Sequence, residues 1–189
     1  MLFGTQLMMR EVSLSRLLDA CETTISPGYR LLGLFDTSVD TYQPHTDPAN
    51  WLLSAPGMVY LQVPSQVIET SIRLESWSST PPEDTGEWSG KEEAEVEIPA
   101  GELALEIIAG GFKPIPLILP SPGLYRMRWK WVFNPERGPF ISPLAGRQDT
   151  LPTLPGREEE LNGKDQYCLV QIWRVAAGDK SGCSAGEPG

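Results

Sequence analysis

The chain has 189 residues, of which 40% are hydrophobic, a length that suits one domain with a sizeable core. Its formal net charge is −10 and its isoelectric point lies near 4.6, which argues against general binding to nucleic acid or anionic membranes because phosphate groups would be repelled. The 18 glycines and 18 prolines favour many short elements joined by turns over long helices.

The first predicted element is a helix over residues 7–22, where leucines approximate an i, i+3, i+4 stripe. A Pro-Gly pair at 27–28 ends it. Residues 29–35 form an apolar run of strand length. Residues 36–57 are polar and rich in turn-forming residues, so we interpret them as a long loop.

Runs of apolar residues, several of them alternating with polar ones, predict most of the remaining elements. The predicted strands cover residues 58–63, 67–77, 93–98, 103–108, 116–120, 122–133 and 167–175. Residues 78–91 form an acidic loop. Residues 134–164 contain five prolines and no sustained period, and so long a connection inside a domain is usually functional or disordered. Residues 178–189 are a Gly-rich tail that we expect to be flexible.

The clearest alternation lies in residues 122–133, after a Pro-Gly turn. Its apolar face carries Tyr125, Met127, Trp129, Trp131 and Phe133, and its polar face carries Arg126, Arg128 and Lys130. This pattern predicts a half-buried strand whose aromatic face is core and whose cations are solvated and paired with glutamates on neighbouring strands. Two alternatives remain: the tryptophans could stack on sugars or bases, and the cations could bind phosphate.

Together these elements predict a mostly-β fold. Seven to eight strands, one N-terminal helix and no alternation of strands with helices are typical of an antiparallel β-sandwich. We predict a single sandwich domain over residues 1–177, followed by the tail. An up-and-down β-barrel is the alternative way to close the sheet.

No pattern in the chain predicts catalysis, a cofactor or a metal site. His45 is the only histidine and lies in a polar turn. A catalytic triad or a metal centre needs several partners in defined roles, and neither a nucleophile elbow nor a histidine-cysteine cluster is present. We therefore expect a protein that is not an enzyme and uses no cofactor, although a carboxylate-based glycosidase site would leave little trace in sequence.

The negative charge is concentrated in one segment. Between Glu69 and Glu106 there are eleven carboxylates and only two cations, Arg73 and Lys91. Such a segment could steer a basic partner. The candidate partner-binding residues are Glu83, Asp84, Glu87, Trp88, Glu92, Glu93 and Glu95. Trp88 is either an exposed anchor for the partner or a residue that folds back onto its own sheet.

The cysteines and the N-terminus bear on location. Cys21, Cys168 and Cys183 are odd in number and form no Cys-x-x-Cys pair, which is typical of a reducing cytoplasm rather than of a disulfide framework. No signal-peptide pattern is evident and no apolar run approaches the ~20 residues needed to span a bilayer. We expect a cytoplasmic protein.

Two segments carry a resemblance to known proteins. The Pro-Gly-x-Tyr-Arg-x-Arg strand within residues 119–128 and the closing Gln-Tyr-Cys-Leu-Val-Gln-Ile-Trp strand at 166–173 resemble a set of small uncharacterised bacterial proteins that are common in actinobacteria. More distantly, together with a weaker strand at 28–35, they resemble the ComJ-like nuclease inhibitors. The resemblance implies a β-sandwich and a role as an inhibitor or immunity partner of a nuclease or toxin. It implies no catalytic residues.

Three function classes remain. The leading hypothesis is a non-enzymatic β-sandwich that binds a protein partner, as an acidic inhibitor or immunity protein of a basic nuclease or toxin. The second is a carbohydrate- or ligand-binding module that uses exposed tryptophans. The third is a structural subunit of a larger assembly, with residues 134–164 as its docking arm.

Overall fold

The computed structural model describes residues 14–40, 42, 44–107, 111–144 and 149–175. These residues form ten strands and one short helix. The elements are β1 (Leu17–Ile25), β2 (Leu31–Asp36), β3 (Leu52–Ala55), β4 (Met58–Gln62), β5 (Thr70–Trp77), β6 (Gly90–Ile98), β7 (Leu103–Ile107), β8 (Gly111–Pro114), β9 (Gly123–Phe133), α1 (Glu158–Leu161) and β10 (Gln166–Arg174).

The strands form two five-stranded sheets, so the fold is mostly β and the barrel alternative is wrong. Sheet A has the order β1-β5-β10-β9-β6, and sheet B has the order β3-β4-β2-β7-β8. All strand pairs are antiparallel except β10 with β5, which run parallel. The predicted sandwich is confirmed, but with ten strands instead of seven or eight in the described part of the chain.

A single apolar core joins the facing sides of the two sheets. Trp129 and Trp131 of β9 are 0% and 1% exposed and pack with leucines, isoleucines and valines of both sheets. The aromatic face of β9 is therefore core, as its alternation predicted. The ring of Trp51, which comes just before β3, lies 5.1 Å from that of Trp131 and extends the core to the rim of sheet B.

The helix prediction over residues 7–22 is wrong where the structure describes it. Leu17 to Glu22 belong to strand β1, which pairs with β5 along its length, and residues 7–13 lie outside the described residues. Cys21 and Ile25, which are four residues apart on the same side of β1, pack against the core. Leucines fit a helical stripe and a strand equally well, so the pairing with β5 decides between them.

Two further strands differ from the predictions. β3 lies inside the predicted 36–57 loop, and a Pro-Gly turn with Gly57 at φ 75° joins it to β4. The predicted strand at 116–120 is irregular, and Ile118 is 72% exposed. Its prolines have no N–H to donate, whereas the unpredicted β8 pairs with β7 at the edge of sheet B.

Residues 134–164 pack on the sandwich in the part that the structure describes. Phe140 stacks on Phe133 at a ring distance of 5.0 Å, and Ile141 bridges to Thr150. Helix α1 places the buried Leu161 on the outer face of sheet A. The predicted flexible tail at 178–189 lies outside the described residues.

One buried carboxylate holds the turns at one end of the sandwich. Asp36, at the end of β2, is fully buried and accepts hydrogen bonds from the backbone N–H groups of Ser38, Ala100 and Gly101. Burial raises the pKa of Asp36, but the hydrogen bonds from Ser38 and from Ala100 and Gly101 outweigh it and the pKa is lowered overall.

We expect Asp36→Asn to lower the free energy of unfolding by about 2–3 kcal/mol at pH 7, because hydrogen bonds to a buried charged acceptor are lost. Asp47→Asn is the matched control: Asp47 accepts similar bonds from Ala49 and Asn50 in an exposed turn, and we expect a loss below about 1 kcal/mol. Because the pKa of Asp36 is lowered in the folded state, its negative charge stabilises the fold above pH ~4, and this stabilisation is lost in acid. Urea titrations at pH 7 and pH 3 should thus show less pH dependence for Asp36→Asn than for wild type.

Candidate protein-binding surface

Residues 78–89 form a strap that joins β5 to β6 and crosses the outer face of sheet A. Its path is marked by three contacts with the sheet. The carbonyl of Pro81 accepts a bond from Arg128 at 3.4 Å, Asp84 pairs with Lys130, and Trp88 stacks near Tyr167. The strap carries four of the seven candidate binding residues and is therefore part of the folded domain.

The strap covers two cations on the outward face of β9. The Lys130 side chain is 1% exposed, and its Nζ lies 2.9 Å from the Asp84 carboxylate. The Arg128 side chain is 5% exposed and pairs with Glu93 at 2.7 Å and with Glu83 at 3.0 Å. The predicted pairing with glutamates is confirmed for Arg128, but the prediction that these cations are solvated is wrong because the strap buries them.

Trp88 folds back onto sheet A. Its ring centroid lies 6.1 Å from that of Tyr167 in a stacked arrangement, and the Arg157 guanidinium lies over the indole, 3.8 Å from the ring centroid. Its Nε1 donates to Asp84 at 3.0 Å. Gly86 leaves room for Arg157, since a Cβ there would approach the guanidinium to 2.2 Å. Of the two sequence-based readings of Trp88, the structure shows the one in which it packs on its own sheet.

The glutamates of β6 divide between the two sides of that strand. Glu93 and Glu95 lie directly opposite Arg128 and Arg126 of β9 and pair with them. Glu97 is exposed and makes no ion pair within the described residues. Glu92 instead points toward sheet B.

Glu92 links the two sheets. Its carboxylate accepts hydrogen bonds from the backbone N–H groups of Trp51 at 3.2 Å and Leu52 at 2.6 Å, at the start of β3. A charged side chain that points inward from the edge strand β6 also disfavours non-specific pairing of another strand with sheet A. We therefore leave Glu92 out of the surface proposed below.

The strap carboxyls are stabilised in their charged form. Burial raises the pKa of Asp84, but hydrogen bonds from Lys130 and Trp88 outweigh it, and the pKa is lowered overall. The hydrogen bond from Lys91 is the main cause of a lowered pKa at Glu83. Both groups are thus anionic over the neutral range, and their charge is largely directed at the protein's own cations.

The acidic surface that faces solvent is consequently smaller than the sequence indicated. Glu87 is exposed, and no ion pair of its carboxylate occurs among the residues described. Together with the exposed parts of Glu83 and Asp84 on the strap, and with Glu97 farther along the outward side of β6, it forms what we call the acidic surface. The sequence reasoning missed Arg157 and Tyr167, which position Trp88. The fold of residues 149–165 brings Arg157 there and the pairing of β10 with β9 brings Tyr167, and no local pattern signals either.

The single histidine and the cysteines do not form part of a metal-binding cluster in the part of the chain that the structure describes. His45 is exposed, and within the described ranges no group of three or more His, Cys, Asp or Glu side chains could hold a metal ion. Cys21 and Cys168 are free thiols, and burial raises the pKa of Cys168. Cys183 lies outside the described residues. Among the described helices, none is long and apolar enough to cross a membrane.

Two solved structures are similar to this fold. ComJ from Bacillus subtilis, an inhibitor of the DNA-degrading activity of NucA, is 12% identical with a TM-score of 0.53, over 86% of this chain and 100% of that one. The product of crocagin biosynthetic gene J is 16% identical with a TM-score of 0.43, over 86% of this chain and 99% of that one. No family model and no curated protein matches the chain.

The match to ComJ shows a shared fold and, at that identity, nothing more. The resemblance to the ComJ-like proteins is thus confirmed at the level of architecture. The resemblance to the bacterial proteins common in actinobacteria stays a prediction.

The buried end of the strap should contribute more to stability than its exposed end. We expect Lys130→Ala to lower the free energy of unfolding by about 2–3 kcal/mol, because the buried stem loses its packing and Asp84 loses its partner. Lys91→Ala removes an exposed pair with Glu83 and should cost below about 1 kcal/mol. Equal losses in urea denaturation would contradict the burial argument.

Proposed function

We propose that the protein is a non-enzymatic binding protein that acts as an inhibitor or immunity protein of a basic nuclease or toxin. The observation that carries the proposal is the shared architecture with ComJ, which inhibits the DNA-degrading activity of NucA. The net charge of −10 supports a basic partner, because opposite charges raise the rate of encounter.

The acidic surface is the binding face in this proposal. Three of its carboxylates, those of Glu83, Asp84 and Glu87, project from a strap that is held on sheet A at several points, so little conformational freedom is lost when a partner docks. Glu93 and Glu95 flank it and are already paired with arginines of β9. Trp88 lies beneath the acidic surface and is partly buried between Arg157 and Tyr167. It holds the strap in place more than it offers area for contact with a partner.

The other function classes have less support. Trp129 and Trp131 are buried in the core, so they offer no platform for sugars. Arg128 and Lys130 are covered by the strap, so the strand offers no open cationic stripe for phosphate. Within residues 134–164, Phe140 packs on the core and Leu154 and Leu161 pack on sheet A, which does not favour a free docking arm.

The first test asks whether a partner exists. The tagged chain is co-expressed with the product of the adjacent gene and purified, and the affinity is measured by titration calorimetry. We expect a stable complex with a basic nuclease or toxin, and loss of its DNA-degrading or toxic activity when this protein is added in equimolar amount. Absence of a complex and undiminished activity would contradict the proposal.

The second test asks which face binds. We expect Glu87→Lys combined with Glu97→Lys to lower the association rate constant for that partner by about tenfold at low salt, because the steering charge is reversed. Neither residue forms an ion pair within the described chain, so the fold is spared. Asp40→Lys with Glu136→Lys is the matched control, since it changes the net charge equally at exposed positions outside the surface. An equal effect of both pairs would show that only net charge matters.

A further inference from the structure

The attachment of the strap is asymmetric with respect to solvent. On the sheet side, the cations Lys130 and Arg128 are 1% and 5% exposed. On the strap side, the carboxylates of Asp84 and Glu83 are 39% and 58% exposed, and that of Glu93 on β6, which also pairs with Arg128, is 33% exposed. Protons can therefore reach the carboxylates while the cations stay buried and charged.

Loss of the carboxylate charge removes the reason for the strap to cover these cations. A buried cation without a carboxylate partner is strongly unfavourable, because the ring contacts that remain, of Arg128 with Trp173 and of Lys130 with Trp88, do not neutralise the charge. Lifting the strap hydrates both cations at once. The strap contacts that protonation leaves in place are few, and most lie at one end: Trp88 with Tyr167 and Arg157, and hydrogen bonds from Arg157 to the Glu87 carbonyl and from Ser89 to the Pro152 carbonyl.

The core between the sheets does not depend on these pairs. The facing sides of sheets A and B are joined by a continuous apolar cluster that contains neither Lys130 nor Arg128. β9 is also held by backbone pairing to β10 and β6 on both sides. Release of the strap thus leaves all strands of sheet A paired.

We propose that residues 81–89 of the strap are released by acid: protonation of Asp84, Glu83 and Glu93 frees this part of the strap from sheet A while the two-sheet core stays folded. The release uncovers Arg128 and Lys130, so the outer face changes from acidic to basic. The release itself does not depend on the proposed function. Its consequence for a basic partner, which would be repelled by the uncovered face, rests on that function.

The direction of the pH dependence follows from the groups that surround the strap. They are Glu87 of the strap, Lys91 and Glu93 of β6, Arg128 and Lys130 of β9, Tyr167 of β10, and Arg157 and Glu160 at α1. As the pH falls, the carboxylates among these groups lose their charge, whereas the lysines and arginines keep theirs. The pKa values of Asp84 and Glu83 are lowered in the folded state, so their stabilising effect is present above the ordinary carboxyl pKa of about 4 and is lost below it.

Hydrogen exchange of the full chain tests the proposal. Protection factors, which correct for the intrinsic pH dependence of exchange, are measured by mass spectrometry at pH 7 and pH 3, and far-ultraviolet circular dichroism reports on the strands of the two sheets. We expect the protection of residues 81–89 to fall about tenfold or more in acid, because the ion pairs of Lys130 with Asp84 and of Arg128 with Glu83 are lost together. β9 and β10 should keep their protection and the dichroism should persist. Simultaneous loss in strap and core would overturn the proposal.

Two variants separate the latch from general acid sensitivity. Asp84→Asn imitates the protonated state and should lower the strap's protection at pH 7, whereas Asp40→Asn, at an exposed site outside the strap, should not. Lys130→Met replaces the buried cation with an apolar chain of similar length, so the strap should stay closed at pH 7 and respond less to acid. A wild-type acid response in Lys130→Met, or a closed strap in Asp84→Asn, would overturn the proposal even if partner binding were confirmed.

Discussion

The burial of two cations on the outward face of β9 is the constraint on which the arrangement outside the core depends. Most strands of a two-sheet sandwich send one face to the core and the other to water. In β9 both faces are covered, and the second face carries Arg128 and Lys130. Burying them requires carboxylates at close range, so an acidic segment must lie across the sheet. The strap and the glutamates of β6 meet that requirement together.

The other face of β9 imposes a different constraint at the same place. Trp131 packs so closely against β6 that a Cβ on Gly90 would come within 2.2 Å of its indole ring. Gly90 is the first residue of β6, where the strap ends. The glycine lets the chain turn from the outer face of sheet A into the strand beside the core. Core packing and strap position are thus joined through one residue without a side chain.

The sequence pattern predicts those strands in which a long apolar run, or a long alternation of apolar and polar residues, marks the residues that pack in the core. β9, β10 and β6 satisfy this condition, and the sandwich follows from them. β1 and β3 do not, because leucines and short apolar runs fit several structures and only pairing with β5 or β4 decides. The candidate site shows the same limit. The composition reveals an acidic segment, but whether its carboxylates face a partner or the protein's own cations depends on where the strap crosses the sheet.

That distinction changes how the acidic character should be interpreted. The strap neutralises Arg128 and Lys130, and Glu95 neutralises Arg126. Much of the negative charge between Glu69 and Glu106 is therefore paired with cations of the same domain. The proposed function therefore does not require a large acidic patch. Specificity would come from the few carboxylates that form no ion pair within the described residues, such as Glu87 on the strap and Glu97 on β6. A partner of this surface would therefore sense both the residual charge and the state of the strap that presents it.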